Sequence, residues 1–92
     1  MAKVTQMTGR TGKPVANQFI IMDGGDLYFQ SYNTVIVRCT VEGDKRVTYL
    51  DRDRWDYSVT TSKYRNQFLN CDTAEVKRRI KSGTYRLADL NN

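Results

Sequence analysis

Residues 34–42 set Val35, Val37, Cys39 and Val41 against Thr34, Ile36, Arg38, Thr40 and Glu42. A side-chain period of two sends successive residues to opposite faces of an extended chain, so this segment predicts a half-buried β-strand. Its surroundings carry the matching punctuation. Asp23-Gly24-Gly25-Asp26 and Gly43-Asp44 are tight-turn signals, because glycine takes the positive φ angles such turns need. They predict that Val15 to Met22 returns as Leu27 to Gln30, and that 34–42 returns as Val47 to Leu50. Lys3 to Met7 is a short edge strand ended by the turn-rich 8–14 segment, in which Pro14 lacks the N–H a central ladder requires. Together these segments predict an antiparallel meander of four or five strands.

Beyond residue 60 the period changes. Thr61 or Ser62 is placed to cap a short helix running to Leu69, with Tyr64 and Phe68 one turn apart on its buried side. Asp72 and Glu75 are spaced as a capping box opening a second helix, which Gly83 closes. Val76 and Ile80 supply that helix's narrow apolar face. Lys77, Lys81 and Arg78 fall at roughly 100°, 140° and 200° around the wheel from Val76, which makes the exposed arc cationic. Thr84 to Leu87, with Tyr85 and Leu87 on one side, reads as a last strand at a sheet edge. The fold class expected is therefore α+β: an antiparallel sheet of four to six short strands with two short C-terminal helices packed on it. Residues 1–92 are expected to form a single domain.

Size and composition narrow the function. A chain of 92 residues supports one core, and domains this small bury only about 60% of the surface their unfolded chains expose, so a homo-oligomer is among the expectations. No run approaches the roughly 20 apolar residues of a membrane helix, and no secretory leader follows the first Met, so the expected setting is cytoplasmic, without membrane contact. Cys39 and Cys71 form no C-x-x-C and read as free thiols, and histidine is absent. With the commonest zinc ligand and general base both missing, neither a metal nor a cofactor is expected.

Three local patterns invite a chemical reading and fall short of one. Gly9-Arg10-Thr11-Gly12-Lys13 has the composition of a phosphate loop but not its spacing, since only two residues separate the glycines and Pro14 follows the lysine. Asp51, Asp53 and Asp56 cluster as cation ligands do, yet the interleaved Arg52 and Arg54 predict a solvated, ion-paired turn. Neither cysteine has a histidine to activate it. No catalytic constellation emerges, and a binding protein rather than an enzyme is expected.

Charge points to a surface. Residues 1–59 hold eight Lys/Arg against seven Asp/Glu, whereas residues 60–92 hold seven against three, so most of the net charge of +5 belongs to the last third. A concentrated positive region attracts polyanions, nucleic acid foremost. The segment from Trp55 to Phe68 adds hydroxyls, amides and four aromatics, a mixture suited to phosphate contacts and base stacking. Trp55, Tyr64 and Phe68 serve equally well as anchors of a helix on the sheet.

The strings 15–19, 29–36, 55–69 and 82–85 together resemble a family of small uncharacterised proteins encoded by bacteriophages and other bacterial mobile elements. That resemblance implies a viral or mobile-element setting, with the bacterial host cytoplasm as its site, and carries over no catalytic or ligand residue. The leading expectation is an accessory protein that binds nucleic acid or a nucleoprotein. Lys63, Arg65, Lys77, Arg78, Lys81 and Arg86 would meet phosphates, with Tyr57 or Tyr64 available for stacking. The rivals are a protein-binding inhibitor of a bacterial defence system or host enzyme, and a minor structural or assembly protein. The leading reading requires the cations beyond residue 60 to share one surface.

Overall fold

A computed structural model describes residues 2–9 and 11–91. Six strands and two helices follow in the order β1 (Lys3–Thr8), β2 (Pro14–Asp23), β3 (Asp26–Ser31), β4 (Thr34–Glu42), β5 (Lys45–Asp51), α1 (Val59–Leu69), α2 (Thr73–Ser82) and β6 (Tyr85–Ala88). The strands lie in one sheet in chain order. β1 to β5 form the antiparallel meander, and β6 joins β5 in parallel after the helices have crossed one face. The fold is thus α+β with the helices after the meander, as the change of hydrophobic period implied. No helix among the described residues is long and apolar enough to cross a membrane.

Phe29, Val37 and Leu50 align across β3, β4 and β5 and are fully buried, and the Phe29 ring stacks on Phe68 of α1 at 5.8 Å. These residues, with Tyr64, Val76 and Tyr85, form the core between sheet and helices. Gln18 is buried on the same face beside Ser31, and its amide has no hydrogen-bond partner within the described protein.

Local expectations fail where long-range packing intervenes. Ile36, placed by strict alternation on the polar face, is fully buried, because a bulge between Phe29 and Gln30 leaves it as the extra residue of β4. Pro14 opens β2 opposite Thr8, at the first position of a strand, where its missing donor costs no ladder bond. α1 begins a turn earlier than predicted. Ser58 is extended and its hydroxyl accepts from the Thr61 amide at 3.1 Å, while the two predicted caps are committed elsewhere, Thr61 to Ser31 and Ser62 to Asp56. α2 keeps its expected ends, with Asp72 accepting from the Glu75 amide at 2.8 Å and Gly83 in the left-handed region at φ 86°.

Candidate nucleic-acid interface

The helices meet along an open groove of about 630 Å³, bordered by Tyr57, Val59, Ser62 and Lys63 of the α1 side and by Thr73 at the start of α2. What holds the groove in shape is Arg65. This residue was expected at the surface among the phosphate-binding cations, but its side chain is fully buried. Its Nη1 donates to the Trp55 carbonyl at 2.5 Å and pairs with Asp56 at 3.2 Å. Its Nη2 donates to Asn66 Oδ1 at 2.8 Å and to Thr73 Oγ1 at 3.0 Å, and the guanidinium lies over the Trp55 ring at 5.3 Å. A buried cation is tolerated only when paired and fully hydrogen-bonded, and the loop before α1, α1 itself and the start of α2 supply those partners together. Arg65 is a structural junction, not a phosphate contact.

Tyr64 is corrected for the same reason. Its ring is nine-tenths buried in the core with the Lys63 ammonium 5.3 Å from its centroid, so no base can stack on it. Tyr57 remains open at 47% exposure, one cation already near its ring in Arg54 at 5.9 Å, and Val59 beside it is 89% exposed.

On α2 the charges divide by flank. Thr73 faces α1 through its bonds to Arg65 and Asn66, and Lys77 and Lys81 follow it at four-residue steps on the same side. The other flank faces β6. There Glu75 accepts from Arg78 at 2.6 Å and from Arg79 at 2.7 Å, and Arg79 also donates to the Tyr85 hydroxyl at 2.9 Å. Those two guanidinium groups, Arg79 first, hold the Glu75 carboxyl below its ordinary value. Arg78 is thus a compensated cation rather than the free one expected from the wheel. Arg86 departs further from the expected surface. It aligns with Tyr49 and Arg38 on the face without helices, 3.6 Å from Glu42.

Of the six predicted cations, three remain on the helical side with no carboxylate at ion-pair distance among the described residues: Lys63, Lys77 and Lys81. The acid within the groove, Asp56, is held by Arg65 and by the Ser62 hydroxyl. The segregation on α2 had a sequence signal, because Glu75 stands three and four residues before Arg78 and Arg79. The roles of Asn66 and Thr73 had none, since both depend on where Arg65 is buried.

The glycine loop at 9–13 spends its amides internally. Gly9 donates to the Lys13 carbonyl at 2.8 Å and Gly12 to that of Gly9 at 3.0 Å, leaving neither amide for a phosphate. Arg10 lies outside the described residues. The 51–56 segment is only partly a solvated turn, for Asp51 is buried and accepts from the Leu90 amide and the Asn91 side chain.

Fold and groove together define a small α+β domain, one sheet backed on a single face by two helices, with Lys63 on the groove between those helices. The chain belongs to the Family of unknown function (DUF8033), whose sequence model matches residues 2–83. That stretch takes in β1 through α2, the whole groove and all three uncompensated lysines, and ends before Arg86. No curated protein and no solved structure matches the chain.

Proposed function

We propose that the protein binds nucleic acid, free or within a nucleoprotein, along the seam of α1 and α2. One observation carries the reading: the carboxylate of α2, Glu75, is taken by Arg78 and Arg79, while Lys63, Lys77 and Lys81 have no carboxylate at ion-pair distance among the described residues. Residues 56–82 hold six Lys/Arg against three Asp/Glu, and the acids of this segment are spent on the arginines or on capping α2. Uncompensated lysines attract phosphates by releasing condensed counterions, a mode tolerant of sequence and sensitive to salt. The exposed Tyr57 ring, on the same groove as Lys63, offers a stacking surface. The setting we infer is the bacterial cytoplasm of a host carrying a phage or mobile element, on the resemblance of the 55–69 and neighbouring strings.

The test is fluorescence anisotropy with labelled single-stranded and duplex DNA and RNA, from low to physiological salt. Micromolar or weaker affinity is expected at physiological salt. Replacing Lys63, Lys77 and Lys81 together by alanine should flatten the log–log salt dependence on duplex DNA by up to about 0.9 per lost contact. All three are exposed, so the circular dichroism spectrum should be unchanged. Absence of binding by the wild type at low salt overturns the proposal.

A further inference from the structure

The helices leave part of their own sheet face bare. Lys3, Met22, Leu27, Cys39, Thr48 and Tyr85 are successive register partners across all six strands, forming one row on the helix-bearing side. At the Tyr85 end this row is buried beneath α2, with Arg79 over the Tyr85 ring at 5.4 Å. Toward the β2–β3 and β4–β5 turns neither helix covers it, and the side chains open to solvent. Met22 is 54% exposed and Val41, next along β4, is 53% exposed. Between them lies a groove of about 300 Å³ that also takes in Leu27, Cys39, Thr48 and Arg46.

We propose that this bare strip receives an amphipathic helix of a partner protein, two to three turns long, apolar on one face and carrying carboxylates at its margin. The length follows from the sheet. Met22 to Thr48 spans four strands, three spacings of about 4.8 Å, or about 14 Å, which a helix rising 1.5 Å per residue covers with about ten residues. A helix is the fitting element because α1 and α2 already cover the rest of this face, and a third would continue the layer.

The charge follows from the rim. Lys3 pairs with Met22 at one side and Arg46 with Val41 at the other, and neither has a carboxylate at ion-pair distance among the described residues. The acid bordering the groove, Asp26, is engaged by Arg38 at 3.0 Å and by the Thr40 hydroxyl at 2.5 Å. Incoming carboxylates would therefore meet cations that the chain does not satisfy. Within the groove, burial pushes the Cys39 thiol up, which keeps it an apolar wall at neutral pH. A second copy of this chain is a poorer occupant, because the apolar stripes of both helices, Tyr64 with Phe68 and Val76 with Ile80, are spent on its own core.

The probes are two fluorescein-labelled helical peptides of 14 residues with the same leucine face, one flanked by glutamates and the other by lysines. The glutamate peptide should bind about tenfold more tightly than the lysine peptide. Arg46→Glu should abolish or reverse that preference, and the Met22→Ser/Val41→Ser double variant should weaken binding by about tenfold. All three side chains are exposed, and an unchanged thermal melt shows that the fold is retained. The proposal is overturned if neither peptide binds, if both bind equally, or if the substitutions have no effect. A wild-type dimer on a sizing column that the double variant dissociates would overturn it in favour of a second copy. None of these readouts depends on nucleic acid, so this site and the lysine seam stand or fall separately.

Discussion

On the sheet face without helices, two arginines come with acids attached. Arg38 is bound to Asp26 at 3.0 Å and Arg86 lies 3.6 Å from Glu42, each at the surface. On the helical side the pairing is uneven: Asp56 is drawn to buried Arg65 and Glu75 to Arg78 and Arg79, and Lys63, Lys77 and Lys81 have no carboxylate at ion-pair distance among the described residues. The two faces differ in where the carboxylates sit as well as in how many cations they carry. A paired surface cation contributes little field beyond its partner, whereas neighbouring unpaired ones add, and only the latter steer a polyanion.

The contrast is broken most severely at Arg65, the cation withdrawn from both surfaces. Arg65→Met should lower stability by about 1–3 kcal/mol in urea unfolding, because Asp56, Asn66, Thr73 and the Trp55 carbonyl lose the buried partner they share. A loss below about 1 kcal/mol would return Arg65 to the surface class.

A smaller effect sharpens the difference between the faces. Glu75→Gln releases Arg78 and Arg79 on α2 and should tighten nucleic-acid binding about threefold in an anisotropy titration. Asp26→Asn releases Arg38 on the opposite face, and should leave that affinity within about twofold of wild type. Equal responses would mean that both faces, or neither, meet the polyanion.

The smallest effect is a pH dependence. Asp26 is held below its ordinary value of 3.8, first by the Thr40 hydroxyl and then by Arg38, and Glu75 below its ordinary 4.5 by Arg79 and Arg78. A carboxyl whose folded value is depressed binds its proton less readily in the folded state than in the unfolded one. Its contribution to stability is therefore complete above the ordinary value and lost as pH falls through the depressed one. Thermal midpoints should accordingly decline below about pH 4.5, and less steeply in the Asp26→Asn/Glu75→Gln variant. An identical acid limb in the variant would show that these pairs add nothing to stability.

The elements most legible in the sequence were those whose signals act over a few residues. Asp72 and Gly83 bounded α2 correctly because an N-cap and a left-handed glycine need only their own turn, although the Glu75 carboxylate went to Arg78 and Arg79 instead of closing the capping box. The start of α1 was missed although Ser58 is as good a cap as Thr61, since the choice depended on Thr61 finding Ser31 thirty residues away. Ile36 was misplaced because a bulge, which no period announces, moved it inward. The candidate site was half legible. Lys63, Lys77 and Lys81 lie on the helical side as expected, while Arg65 and Tyr64 went into the interior and Arg86 to the other face.

The sequence by itself determined the order of strands and helices, the turns between them and the positive balance of the last third, all of which follow from periodicity, capping and composition. Only the tertiary structure decided which cations meet solvent, which are neutralised and which part of the sheet stays bare. Those outcomes depend on pairs such as Arg65 with Trp55 and Glu42 with Arg86, brought together by docking of the helices and closure of β6. A charge is spent or free according to its neighbours within a few ångströms, and in a folded chain most of those neighbours are distant in sequence.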